Sequence, residues 1–201
     1  MALRFSNHIF YHIPKTGGSY VRHIIEKMEP DRQEICWKHS TPFESRVGMD
    51  LCYPCFAMVR HPLSWYESYF RYRRSSNSRP WQKDCYYDAK VESETYEDFI
   101  LKTMSSTVAG ATTYVGHLYA PYIKNVDYII KLEEIHEGLN MVFSKWGYDY
   151  WKYKVGPIKV SPKHIPTQLP KDLYERLAMR EAGVSLALGY EIYPPSVPVP
   201  V

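Results

Sequence analysis

The sequence predicts an α/β fold, a central sheet of parallel strands flanked by helices, in a single domain over residues 1–201. Three observations predict it. Short apolar runs of strand length at residues 9–13, 35–37, 55–59 and 126–131 are rich in Ile, Val and aromatics and do not alternate with polar residues. That is the pattern of strands buried on both faces. Helix-like segments come after most of these runs, and strands alternating with helices imply a sheet with right-handed crossovers. Finally, 201 residues with 45% hydrophobic content suffice for one core and fall short of two ordinary domains.

The first run leads through Pro14-Lys15-Thr16-Gly17 into a helical segment over 18–28. The third leads into a helix over 62–74, with Pro62 suited to the first turn. The fourth leads into a helix over 133–146 that stops at Gly147, placed as a C-terminal capping glycine. Residues 75–92 are polar and irregular and read as a surface excursion. Thr95-Tyr96-Glu97-Asp98 is a capping-box signal for a helix to about Met104. Gly110 and Gly116 break the pattern over 105–125, which reads as a lid or substrate loop; residues 75–115 together form the variable part of the chain. Residues 152–169, with Pro157, Pro162 and Pro166, are loop-like. Pro170 opens a last helix with the apolar face Leu173, Leu177, Val184, Leu188. The Pro-rich tail over 194–201 cannot continue it and reads as extended. There is no internal repeat and no linker that divides the chain.

Composition narrows the function classes. A net charge of +3 is too small to predict nucleic-acid binding, yet it suits local attraction of a small polyanion. No run of about 18 apolar residues suggests a membrane span, and residues 1–7 hold no apolar leader, so the expected location is cytoplasmic. Cys52 and Cys55 form a lone CxxC, with Cys36 and Cys85 elsewhere; without a second pair at ligand spacing they read as thiols, and no metal site is expected.

The chemistry concentrates in two stretches. Residues 12–19 read HIPKTGGS, a strand, a tight Gly-containing turn and a helix start. First-turn N–H groups of a helix have no intrahelical acceptor, and the helix dipole adds positive charge there, so this geometry binds phosphate and suggests a P-loop-like sheet. Gly17 and Gly18 let backbone approach an anion, Thr16 and Ser19 bring hydroxyls, and Lys15 brings a full charge. In the common nucleotide P-loop the lysine comes after the last glycine; here it precedes the pair, and the loop is shorter. An ordinary strand–helix turn, needing Gly-Gly only for its backbone, is the competing reading. The second stretch, residues 55–73, reads CFAMVRHPLSWYESYFRYR. Arg60 ends a strand beside a Pro-initiated helix that carries Ser64 in its first turn. The guanidinium fork suits phosphate, and ligands of open α/β sheets bind outside the carboxyl ends of strands. The chain thus offers two anion subsites at strand–helix junctions.

The pair PKTGGS and VRHPLSWYESYFRYR resembles the 5′-phosphosulfate and 3′-phosphate motifs of sulfotransferases that use 3′-phosphoadenosine 5′-phosphosulfate (PAPS), closest to the Golgi-type carbohydrate sulfotransferases and their bacterial relatives, the heparan 2-O-sulfotransferase group among them. VDYIIKLEEIHEGLNMVFSKWGY is similar to the family's strand and acidic-start helix, and LALGYEIY to the end of its last helix. The resemblance implies that Lys15 contacts the phosphosulfate bridge and stabilises charge on the leaving phosphate. It implies that Thr16, Gly17, Gly18, Ser19 and Tyr20 cradle the 5′-phosphate, and that Arg60 and Ser64 hold the 3′-phosphate. Lys163, in a loop that corresponds in position to one folding over the donor, adds a further positive charge. The implied donor is PAPS, the product adenosine 3′,5′-bisphosphate, and no metal is required. The acceptor is a hydroxyl of a glycan or small molecule, and its proton needs a base. The segment WKHSTPFESR offers His39, whose unperturbed pKa suits the task, with Glu44 as second candidate and a solvated loop histidine as the competing reading. His12 and His61 lie inside the motifs and read as supporting or helix-capping groups; His117, His136 and His164 lack any carrying context.

Two stretches stay ambiguous. Arg71-Tyr72-Arg73-Arg74 is either an acidic-acceptor contact or an exposed helix end whose cations suit the dipole. Trp65, Tyr66, Tyr69, Phe70 and Tyr72 cover much of their helix and read as mainly core, with one or two rings left to line an acceptor pocket. Among other functions, a small P-loop kinase would need a lysine after the glycines and a Mg²⁺-binding acid, whereas Asp127 begins its strand; a non-catalytic binder of nucleotides or anions would keep the cradle without turnover.

Overall fold

The computed structural model describes residues 2–35, 40–46, 53–75, 81, 86–105, 113–158 and 162–194. His39, Cys36, Cys52 and Cys85 lie outside the described residues, as does most of the Pro-rich tail. The fold is α/β, with a five-stranded mixed sheet flanked by helices. By their internal contacts the residues group into two compact units: Met1–Arg60 with Tyr119–Lys159 and Val199–Val201, and His61–Leu118 with Val160–Pro198.

The first unit holds the sheet. Its strands are β1 (Ala2–Phe5), β2 (His8–Tyr11), β3 (Gln33–Ile35), β4 (Cys55–Val59) and β5 (Tyr128–Lys131), in the order β3-β1-β2-β4-β5. β2, β4 and β5 are parallel neighbours, with Tyr11 opposite Ala57 and Val59 opposite Lys131. β1 is antiparallel to both β2 and β3. The wholly parallel sheet expected from the sequence is therefore corrected to a mixed one. The reason is the hairpin over β1 and β2. Ser6-Asn7 forms its two-residue loop, with Ser6 at φ 44, a conformation usually given to Gly in such turns. Ser6 Oγ and Tyr148 Oη both donate to Glu29 Oε1, at 2.9 and 2.7 Å, and tether the turn to a helix end. Without a glycine signature the hairpin was invisible, and β1 merged into the chain's start. Of the second expected strand, over 35–37, Ile35 falls in β3 (Gln33–Ile35), and 36–37 lie outside the described residues.

Helices α1 (Gly18–Met28) and α7 (Ile135–Lys145) pack on the sheet with a short α8 (Tyr150–Tyr153). α1 buries Tyr20, Val21, Ile24 and Ile25, the i, i+1, i+4, i+5 stripe of an amphipathic helix, against Phe10, Phe56 and Met58 of the sheet and Leu139, Val142 and Phe143 of α7. α7 is preceded by a 3₁₀ turn, Leu132–Glu134, so the helix expected from residue 133 begins two residues later. β4 is buried at all five positions, as a non-alternating run requires. Asp127 stands ahead of β5; its Oδ2 accepts from Cys55 N–H at 2.8 Å and its N–H donates to the Cys55 carbonyl at 3.0 Å. It clips the amino ends of β4 and β5 together. α2 (Pro42–Arg46) starts at a capping box, in which Glu44 accepts from Thr41 N–H at 2.7 Å and Thr41 Oγ1 from Glu44 N–H at 3.3 Å. Glu44, the second candidate base, thus serves the helix start.

The second unit holds α3 (Pro62–Arg74), α4 (Tyr86–Ala89), α5 (Tyr96–Ser105), α9 (Lys171–Ala187) and the first residues of α6 (Tyr114–Ile123). Of the aromatic cluster, Trp65, Tyr66, Tyr69 and Phe70 are buried, with Trp65 stacked on Tyr69 at 4.7 Å and Phe99 of α5 among them, whereas Tyr72 is exposed near the helix end. Thr95 Oγ1 accepts from Asp98 N–H at 3.2 Å and caps α5 as expected. The surface excursion and the arginine run need correction. Asp88 is fully buried, Arg73 donates to it at 2.5 Å, and Tyr69 Oη is its second partner. Trp81 is buried as well. Arg71 donates to the Ile165 carbonyl at 3.1 Å and to Thr167 Oγ1 at 2.6 Å, and Arg74 pairs with Glu94 at 2.9 Å. The run is neither a bare helix end nor an open basic patch. Residues 114–123 form α6, with Pro121 inside it and Thr113 Oγ1 accepting from Gly116 N–H at 2.9 Å at its start; the expected lid or loop is a helix over that stretch. Glu181 of α9 is buried and accepts from Tyr66 Oη at 2.6 Å. Burial lifts its carboxyl above the usual range, and hydrogen bonds from Tyr66 and Thr113 pull the other way.

Asp88→Asn strands the buried Arg73 charge and should cost about 3–5 kcal/mol in urea unfolding; a loss under about 1 kcal/mol would show that the pair contributes little. His8 stacks on Trp146 at 4.0 Å, and its Nδ1 is buried without a hydrogen-bond partner. Burial holds this imidazole below its ordinary value of 6.5, against a weaker pull from Glu29. The unfolded chain then binds the proton more readily, so stability falls as pH drops below about 6.5 and through the lower folded value. The melting temperature of His8→Phe, which keeps the stack, should fall less steeply between pH 6.5 and 5 than that of the unaltered protein.

Candidate functional site

The three parallel strands end on one edge of the first unit's sheet, and the segments leaving that edge carry the candidate residues. After β2 the chain turns through residues 14–17 into α1. Lys15 takes φ 65 and Gly17 φ 85, so two of four turn residues are left-handed. For Gly17 this is free; for Lys15 it costs about 1–2 kcal/mol. Non-glycine residues held in this region cluster at binding and catalytic sites.

Each glycine of the pair has a separate reason. A Cβ on Gly17 would lie 2.6 Å from Leu132 Cδ1, with Met58 and Ile135 next. A Cβ on Gly18 would lie 2.0 Å from the His12 ring. The turn is therefore seated on β4, on the segment after β5 and on its own histidine, with no room for a side chain. His12 acts as a packing partner of the cradle. Thr16 is fully buried and its Oγ1 donates to the Ile13 carbonyl at 2.9 Å. Its hydroxyl closes the turn instead of pointing at an anion. The first intrahelical bonds run from Tyr20 N–H (2.9 Å) and Val21 N–H (3.3 Å) to the Gly17 carbonyl. The amides of Gly18 and Ser19 precede them, in the position where helix N–H groups have no intrahelical acceptor. Lys15 and Ser19 are both partly exposed.

Tyr20 belongs to a hydroxyl chain that the sequence did not reveal. Its Oη donates to the Val155 carbonyl at 3.3 Å and lies 2.9 Å from Tyr150 Oη, which in turn meets His136 Nδ1. A carbonyl can only accept. From that end, Tyr20 donates to Val155, Tyr150 donates to Tyr20, and His136 donates its Nδ1–H to Tyr150, leaving Nε2 as the bare nitrogen. Burial, and then the nearby Lys154 charge, hold this imidazole below its ordinary value, and burial with the Tyr20 bond raises the Tyr150 phenol. The members lie 14 and 130 residues apart in sequence, so no local pattern could have announced them.

Arg60 comes directly after the last residue of β4 and is partly buried. Its N–H donates to Tyr119 Oη at 3.2 Å, and Tyr119 Oη donates to its carbonyl at 2.9 Å. Lys15 and Arg60 thus leave adjacent parallel strands at the same edge, as read from the sequence. Ser64 and Lys163 belong to the second unit. Ser64 is partly buried in the first turn of α3, whose N-cap is His61: Nδ1 accepts from Leu63 N–H at 3.2 Å, and Nε2 contacts the Glu191 carbonyl at 3.0 Å. Nδ1 is the acceptor, so Nε2 carries the proton and donates to Glu191. His61 is a helix cap. Lys163 is exposed in a turn. Comparison of the chain with models of known families, with curated proteins and with solved structures returned no match.

The strain at Lys15 can be measured. Lys15→Gly relieves the left-handed conformation and adds unfolded-state entropy, so unfolding free energy should hold or rise by up to about 1 kcal/mol. A loss above about 1 kcal/mol would show that the lysine side chain itself holds the turn.

Proposed function

We propose that this chain is a sulfotransferase that moves the sulfuryl group of PAPS to an acceptor hydroxyl, of a carbohydrate or another small molecule. The observation that carries the reading is the pairing of Lys15 and Arg60 at the carboxyl ends of adjacent parallel strands, with the amides of Gly18 and Ser19 beside Lys15. Two separated cationic subsites match a donor with phosphate at both the 5′ and 3′ positions better than they match a triphosphate chain. The residue resemblance of PKTGGS and VRHPLSWYESYFRYR points the same way.

In this reading the acceptor oxygen attacks sulfur, and the bond from sulfur to the bridging oxygen of the 5′-phosphate breaks. Lys15 stabilises the negative charge that builds on that oxygen, a charge present in the transition state and absent from the resting donor. The amides of Gly18 and Ser19 hold the 5′-phosphate, and Arg60 holds the 3′-phosphate. His39 is the proposed base for the acceptor proton. Glu44, spent on its helix cap, is the weaker candidate. No metal ion is needed in this scheme, since Lys15 meets the developing charge.

A kinase is the less favoured reading. Its metal-binding acid would stand at the carboxyl end of a strand, whereas Asp127 clips the amino ends of β4 and β5. A non-catalytic anion binder is favoured by Thr16, whose hydroxyl is spent within the turn.

Calorimetry separates these readings. Adenosine 3′,5′-bisphosphate should bind at least about tenfold more tightly than ATP without Mg²⁺, a difference of about 1.4 kcal/mol; equal or preferred ATP binding would overturn the donor assignment. With labelled PAPS and a panel of glycan and phenolic acceptors, Lys15→Ala should abolish transfer and keep most bisphosphate affinity. Full activity in His39→Ala would remove His39 as the base.

A further inference from the structure

We infer that Tyr119 is a positioning residue that sets the chain's preference for a ligand carrying a 3′-phosphate; this rests on the donor reading of Arg60 given above. Tyr119 is fully buried in α6, and its single hydroxyl engages both main-chain groups of Arg60, accepting from the N–H at 3.2 Å and donating to the carbonyl at 2.9 Å. Arg60 stands at the end of the strand ladder. The last ladder pair of β4 is Val59 with Lys131. The next residue along the chain, His61, is already the N-cap of α3, with its carbonyl accepting from Trp65 N–H at 2.9 Å. Arg60 falls between ladder and helix. Its backbone conformation, and with it the direction in which the side chain leaves the sheet edge, is fixed by a phenol from another element.

The chemistry explains why this affects selectivity. A guanidinium binds phosphate through two parallel N–H donors, and that fork rewards correct placement over mere proximity. Functional groups misplaced by about an ångström lose most of their advantage. Removing the hydroxyl alone loosens Arg60 at its α-carbon, without altering its charge or the packed ring of Tyr119. The loss should therefore fall on the 3′-phosphate and spare the 5′-phosphate, which is held by the turn after β2.

The test compares adenosine 3′,5′-bisphosphate with adenosine 5′-monophosphate by calorimetry, in the unaltered protein, Tyr119→Phe, Arg60→Ala and the double variant. The unaltered protein should prefer the bisphosphate. Arg60→Ala should abolish the preference, and Tyr119→Phe should cut it about tenfold with monophosphate affinity retained. The double variant should be no worse than Arg60→Ala, since the effect of the hydroxyl on the 3′-phosphate runs through the Arg60 side chain. If Tyr119→Phe keeps the full preference, loses both ligands equally, or adds its effect to that of Arg60→Ala, the inference falls. If the unaltered protein shows no preference for the bisphosphate, the donor reading itself falls, and the inference with it.

Discussion

Main-chain hydrogen bonding of β4 to β2 on one side and β5 on the other is the interaction on which the rest of the first unit depends. Parallel pairing forces the carboxyl ends of all three strands onto one edge. The segments leaving the strands must then emerge together: the Lys15 turn after β2, Arg60 after β4, and the Leu132–Glu134 turn after β5. The seat of the cradle repeats this dependence. The space closed to a Gly17 side chain is filled by Met58 of β4, by Leu132 of the turn after β5 and by Ile135 at the start of α7. β4 can lie between β2 and β5 because every one of its residues is apolar enough to be buried.

The cradle divides its residues between holding itself together and facing outward. Gly17 and Gly18 answer packing against Leu132 and His12, and Thr16 answers the Ile13 carbonyl. These residues would be needed by the turn even without a ligand. In the proposed reading the first-turn amides, the Ser19 hydroxyl and Lys15 meet the ligand, and Lys15 is the one non-glycine residue of the turn held in a left-handed conformation. A turn that served only to reverse the chain would place glycine or asparagine at that left-handed position. A lysine there marks the one residue whose side chain is worth more than its backbone comfort.

The second unit turns several of its charged residues inward. Arg73 and Asp88 form a buried ion pair, Arg71 holds the residues around Ile165 and Thr167, and Glu181 accepts from the Tyr66 hydroxyl. Such pairs are costly to break because each partner would be left charged or polar in a medium that solvates neither. They tie the polar stretch around α4 to a wall of aromatic rings that composition alone would leave unspecific. This is why residues that look like a solvated face in a one-dimensional reading, a basic run and an irregular polar segment, become partners in three dimensions.

Much of the fold was legible because its signals are local. A helix start needs its cap within three residues, so Pro62, Thr95 and Pro170 announced α3, α5 and α9; a strand shows as a continuous apolar run, so β2, β4 and β5 stood out, although β5 buries only Ile130; and the proposed anion cradle has its glycines and its cation in one turn, so Lys15 through Ser19 could be named as its candidates. Pairing partners are not local. Antiparallel β1 was hidden by a hairpin turn without glycine, α6 by Gly116 inside its first turn, and the partners of Tyr20, His136, Arg60 and Arg73 by separations of 14 to 130 residues. The sequence by itself determined which residues are the candidates for the proposed anion site and roughly where the chain would turn. Only the tertiary structure decided which of those groups are left facing outward, because a hydroxyl or a charge is available to a ligand only after the protein's own buried carbonyls, carboxylates and amides have taken the partners they need.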